Sequence, residues 1–359
     1  MINFAYASLL HLSEFIMKFL LMQIEQSVVR ESNIELLRII SMILVLLSHA
    51  SYTSLTPPTI ADISTSLDSA FLRVLAESFS VVCVNVFVLI SGWYGIKVRW
   101  SRFAELIFQV VFISISIYAL MRCLGLVQAI SINEWLELLL IKHRGYWFVK
   151  AYMILYLFAP VLNAFVENVS REQLKTFLVT FFIIQIVYGF YHYGGWYAGG
   201  YSPLSFMGLY LLARYMRLYP CRFTQFNKYM DLTLYFVISL LTAICSLALT
   251  WFFGKGSTVL FLYSSPTVIL SSVFFFLFFT KLSFQNRFVN WVASSCFAVY
   301  LVHNSPYIFH TYYTGVVKYW FDTEPRSVFL LYCTCLIMGF FLCSVLFDKV
   351  RIMVWKVLN

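Results

Sequence analysis

From Ile34 onward the chain is a succession of apolar stretches of about twenty residues, separated by short loops containing proline, glycine or charge. A bilayer demands that length for each helical span, whereas a soluble core has no use for it. The chain is therefore expected to be all-α, a polytopic transmembrane helical bundle. Its composition agrees: 61% of 359 residues are hydrophobic, only 11% are charged and the mean hydropathy is +0.82, against about 25% charged residues in an ordinary soluble domain.

Ten spans are expected, at 34–53, 75–96, 103–124, 147–166, 174–190, 203–219, 230–253, 264–282, 290–309 and 327–347. Ten spans put both termini on one side. Lysine and arginine crowd one set of span ends, among them Arg30, Lys97, Arg99, Arg102, Arg171, Arg214, Arg217, Lys281, Lys349 and Arg351, while the opposite loops hold far fewer. The positive-inside rule then makes both termini cytoplasmic, in a multi-pass protein of the cell's inner membrane. No long polar segment remains for a second unit, so residues 31–359 read as one transmembrane domain. Residues 1–30 are apolar but interrupted by Glu14, Lys18 and Glu25, and lack the basic start and cleavage site of a signal peptide. They are expected to be a leader or interfacial segment, with Met22 as an alternative start.

The net charge of +9 does not mark a nucleic-acid binder, because the basic residues lie singly and in pairs between apolar spans. That pattern reports orientation and anionic lipid. The eight cysteines lie mostly within apolar runs, with no Cys-x-x-Cys and no histidine at zinc spacing, so they read as small buried hydrophobes and no metal is expected. Two stretches, 125–146 and Tyr191 to Tyr201, read either as interfacial elements or as a plain aromatic belt. No internal repeat supports a transporter built from inverted halves.

Ionisable groups within spans are costly and point to function or to a structural partner. Arg38 and His49 are eleven residues apart, roughly 1100° of helix or about 20° past three turns, so they share a face with roughly 16 Å between them. Glu35, one turn before Arg38, can pair with it. A cation near one end and an imidazole deep on the same face suit a long, thin, anionic-headed donor such as coenzyme A. The alternative is that Arg38 snorkels and His49 bonds a neighbouring helix. Ser91-Gly92 permits a close backbone approach or a local break. Lys97, Arg99 and Arg102 can clamp phosphates, or simply obey the positive-inside rule. Tyr300 and His303, one turn apart, can hold an acceptor, orient the catalytic group or glue helices. Trp147 opens an aromatic stripe read mainly as packing, and is itself a candidate acceptor contact.

At these residues the chain resembles the acyltransferase family 3 membrane proteins, from about Asn33 to Phe347. Arg38 through His49 matches that family's arginine, ten residues, histidine pattern. Phe87-Val88-Leu89-Ile90-Ser91-Gly92 is similar to its Phe-x-x-x-Ser-Gly segment, and Arg99-Trp100-Ser101-Arg102 to its Arg-x-x-Arg loop. Tyr146-Trp147-Phe148, Tyr156, Pro160 and Tyr300 to His303 follow in order. The resemblance implies O-acyl transfer, usually acetyl, from cytoplasmic acyl-CoA to a surface polysaccharide or lipid-linked sugar. In that reading His49 is the transfer centre, Arg38 with Glu35 supports it, Arg99, Arg102, Lys97 and Ser91 hold the donor, and Tyr300, His303 and Trp147 meet the acceptor. Members that carry a second, periplasmic domain after the last span differ from this chain, so the resemblance leaves the acceptor unspecified.

An acceptor hydroxyl attacking a thioester needs a base that works near neutrality, and imidazole is the usual choice. His49 is thus expected to be a general base or a transient acyl carrier. The main rival is a carrier or flippase for a glycan or lipid-linked sugar that makes no covalent change. A glycan polymerase is a weaker rival, since the longest loops here are only about twenty residues.

Overall fold

The computed structural model describes residues 30–128, 131–139, 146–190, 196–254 and 258–358. Every described element is helical. The expectations for residues 1–29, and for parts of the stretches 125–146 and 191–201, lie outside the described residues.

Seven described helical segments are long and apolar enough to cross a membrane: Ser32–Thr53, Leu67–Tyr94, Trp100–Cys123, Trp147–Asn168, Lys228–Phe253, Val259–Thr280 and Arg326–Leu358. Each coincides with an expected span. The other three expected spans are also helical, but shorter or interrupted. We label the elements α1 (Ser32–Ser48), α2 (Leu67–Ser80), α3 (Cys83–Tyr94), α4 (Trp100–Cys123), α5 (Trp147–Asn168), α6 (Arg171–Gln185), α7 (Pro203–Leu218), α8 (Lys228–Phe253), α9 (Pro266–Thr280), α10 (Arg287–Ala293), α11 (Cys296–His303) and α12 (Arg326–Leu358). Fifteen-residue α6 is prolonged by a π-helical turn, Ile186–Phe190.

The ninth expected span breaks at Ser294 and Ser295 into α10 and α11. A break within lipid leaves carbonyls that must find donors. Lys349 of α12 supplies them: its Nζ donates to the Trp291 carbonyl (2.7 Å) and the Ser294 hydroxyl (2.9 Å), and lies 4.3 Å from the centre of the Trp291 ring. Lys349 and Arg351, counted in the sequence among the cations that set topology, are thus buried and structural. Arg351 pairs with Asp348 (2.9 Å), which also accepts from Gln109 of α4 (2.9 Å). These pairings let α12 run to Leu358, well past the 347 at which its apolar pattern stops.

The N-terminus of α1 is pinned by polar side chains. Ser32 donates to Asn290 of α10 (2.9 Å), and Asn33 donates to the Phe279 carbonyl of α9 (3.0 Å). Where α3 crosses α7, a Cβ on Gly92 would sit 2.8 Å from the Ala213 methyl and 2.9 Å from the Tyr210 Cα, so only glycine permits this approach. The close approach expected at Ser91-Gly92 is what the structure has, and α3 runs through it unbroken. The cysteines differ from expectation. Cys83, Cys296 and Cys333 are buried, but Cys123, Cys245, Cys335 and Cys343 are exposed. The outside of a membrane bundle is as apolar as its core, so an apolar neighbourhood in sequence does not imply burial.

Candidate active site

Helix α1 is regular as far as Ser48, so the 100° per residue that aligns Arg38 with His49 holds along the whole interval. At His49 the helix widens into a π-helical turn, His49–Thr53. Such turns leave carbonyls needing other donors and recur at functional sites. Here Ser54 donates to the His49 carbonyl (2.6 Å) and Tyr313 to the Leu46 carbonyl (2.7 Å).

His49 Nδ1 lies 2.9 Å from Nε2 of His303, which stands at the end of α11. His303 Nδ1 lies 2.7 Å from the Val299 carbonyl. A carbonyl can only accept, so His303 carries its proton on Nδ1 and, when neutral, turns the Nε2 lone pair toward His49. His49 must then donate from Nδ1, which leaves its own Nε2 lone pair as the ring's remaining acceptor. The Phe309 ring meets His49 edge-on, 5.1 Å between centroids. His303 is fully buried beneath it.

His49 is part of the wall of a cavity of about 580 Å³. Arg30 and Arg38 line one end, beside the first residues of α1, and Pro57 and Thr258 line the other, beyond its last turn. The cavity therefore runs along α1 for most of the thickness of the bundle. Tyr300 and Glu77 line it near His49, Ser91 is also in its wall, and Trp147, Tyr201 and Tyr263 contribute an aromatic wall. Trp147 stacks against Tyr263 with an interplanar angle of 25° and 5.8 Å between centroids.

Of the residues singled out in the sequence, Arg38, His49, Ser91, Tyr300 and Trp147 come together on this cavity. Arg38 donates to Glu35 (2.7 Å), whose side chain is buried behind the wall and also lies 3.8 Å from Arg30. Ser91 meets the Tyr152 hydroxyl at 3.1 Å. His303 bonds His49 and is not part of the lining. Lys97, Arg99 and Arg102 are exposed and outside the lining. They sit at the Arg38 end, since Tyr94 bonds Glu31 beside the start of α1 and the Tyr156 hydroxyl holds both the N–H (2.9 Å) and the carbonyl (3.2 Å) of Arg99.

The sequence reading missed Arg30 as a cavity residue, and also Glu77, Gln109, Tyr201 and Tyr263. Glu77 had a legible signal, as a carboxylate inside an apolar span. Gln109, an amide within an apolar span, had a weaker one, and Arg30, Tyr201 and Tyr263 had none, because ordinary loop and aromatic positions become cavity walls only through packing. Among the described residues no cluster of histidine, cysteine and carboxylate side chains is arranged to hold a metal.

A bundle of apolar helices around a cavity whose mainly apolar wall carries arginine, glutamate and an oriented imidazole defines a multi-pass membrane protein built for chemistry. The family model described as Acyltransferase domain, that of acyltransferase family 3, matches residues 31–348, and the chain belongs to this family. It is a membrane acyltransferase. No curated protein and no solved structure matches it.

Proposed function

We propose that the protein moves an acyl group, most simply acetyl, from acyl-CoA on the cytoplasmic side to a hydroxyl of a surface or lipid-linked carbohydrate. The observation that carries this reading is His49, held by His303 so that its Nε2 lone pair remains, in a cavity with arginines at one end and an aromatic wall. The positive-inside rule supports putting the cationic end, with both termini, in the cytoplasm of an inner-membrane protein. Arg38 and Arg30 suit the donor's phosphates, and the exposed Arg99, Arg102 and Lys97 suit its capture from solution. Trp147, Tyr201 and Tyr263 offer flat faces to a sugar ring entering from the opposite end.

In this mechanism His49 is the general base. Nε2 takes the proton of the acceptor hydroxyl as its oxygen attacks the thioester carbonyl. The carbon–sulfur bond then breaks, and the imidazolium returns the proton to the departing thiolate, giving an ester and free CoA. The Nδ1 bond to His303 keeps the ring from turning its protonated nitrogen to the substrate.

The test is transfer of label from radiolabelled acetyl-CoA by purified protein into membranes rich in surface glycan, with His49→Ala alongside. Label reaching glycan with the wild type alone is the expected result. Full transfer by His49→Ala would remove His49 from the centre. Absence of both transfer and acetyl-CoA binding in the wild type would overturn the donor assignment in favour of a carrier.

A further inference from the structure

Glu77 is a carboxyl group in the interior of an apolar bundle, 6% exposed, and among the described residues it makes no ion pair. Intramembrane carboxylates elsewhere in this chain are neutralised by contact: Glu35 by Arg38, Asp348 by Arg351 and Asp231 by Lys281. Glu77 instead accepts from the hydroxyl of Ser48 (3.0 Å) and lines the same cavity as His49, the residue next to Ser48 in α1. The elements packed on α2 include α1, α8, the His49–Thr53 turn and the short helix Ile60–Thr65. A carboxyl left facing a cavity at such desolvation cost is the kind of group kept for a ligand.

Tyr263 and the Trp147 ring stacked on it line the same cavity as Glu77. The two oxygens of a carboxyl group offer several acceptor sites; Ser48 occupies one at Oε2, and Ser51 also bonds the group. The rest can accept from hydroxyls of a ligand lying against the aromatic wall. His49 Nε2 supplies a second acceptor on the same cavity.

Building on the acyl-transfer reading, we propose that Glu77 is the acceptor-orienting residue, and that the acceptor is a polyol presenting two neighbouring hydroxyls, one to Glu77 and one to Nε2 of His49. The hydroxyl on His49 is the one acylated. Glu77 exchanges no proton in the reaction and sets which hydroxyl lies at the base.

The experiment uses the full chain in nanodiscs, as wild type, Glu77→Gln and Glu77→Ala. Acetyl-CoA binding is measured first. Transfer is then followed to simple methyl glycosides and, for each one accepted, to the monodeoxy analogues lacking the hydroxyl beside the acylated one. The proposal expects both variants to bind acetyl-CoA as the wild type does. It also expects the acceptor KM to rise about tenfold or more in Glu77→Ala, and the preference for the diol over the deoxy analogue to disappear. Unchanged KM and unchanged diol preference in active variants would overturn the role of Glu77 and leave the acyltransferase reading standing. Loss of acetyl-CoA binding in both variants would overturn it too, by making Glu77 a structural prop for α1. A wild type that transfers to no glycoside and no glycan membrane overturns the acyl-transfer reading itself, and this inference with it.

Discussion

The hydrogen bond between the two histidines makes a quantitative demand on His303→Ala. In the native site the Val299 carbonyl sets the tautomer of His303, and His303 Nε2 in turn receives the Nδ1 proton of His49. Alanine removes the acceptor and leaves a buried Nδ1–H donor with no partner. A lost hydrogen bond costs about 1 kcal/mol net, and a buried donor stranded without a partner about 1–3 kcal/mol. His49 avoids that cost by taking the other tautomer, which protonates Nε2, or by rotating, which turns the Nε2 lone pair away from the substrate. If 1–3 kcal/mol is the penalty for restoring the productive form, kcat falls about 5- to 150-fold at 1.36 kcal/mol per decade. Acetyl-CoA affinity should hold, because His303 is fully buried and does not line the cavity. His303→Gln, whose amide oxygen can accept where Nε2 did, should recover part of the rate. The assay is steady-state transfer of radiolabelled acetyl groups, with donor binding as the check on folding. Full kcat in His303→Ala would refute the tautomer argument. So would equal losses in the alanine and glutamine variants with donor binding intact.

The two groups of arginines should separate kinetically. Arg38→Ala, which strips a cation from the cavity wall, should raise the dissociation constant of acyl-CoA at every salt concentration. Arg99→Ala with Arg102→Ala, in the exposed loop, should slow donor capture chiefly at low ionic strength, where unscreened surface charge steers ligands; association rates measured from low to physiological salt decide this, and identical salt profiles would contradict it. Gly92→Ala places a methyl against Ala213 and Tyr210, so α3 and α7 must part; overpacking of this kind costs about 1–3 kcal/mol, readable as a lower midpoint of thermal unfolding in detergent, and an unchanged midpoint would show that the two helices can yield.

Length and hydrophobicity alone determined that this chain is a helical membrane bundle, because lipid imposes a minimum length of apolar helix and forbids unpaired backbone. Helical periodicity likewise determined that Arg38 and His49 share a face, since the 100° step belongs to the backbone and α1 stays regular up to Ser48. The pairing of His49 with a residue 254 positions away was beyond any such reading. Periodicity says which residues share a face of one helix and nothing about which helix that face meets. For the same reason Glu77, visible as a carboxylate in an apolar run, became a cavity group only when α2 packed on α1, and Lys349 passed from topology signal to the cap of a broken helix when α12 met α10. In a soluble protein the apolar side of a helix would have pointed to its neighbours. Here lipid and core are equally apolar, so hydrophobicity cannot distinguish inside from outside, and packing alone decided where the cavity and its histidine pair would lie.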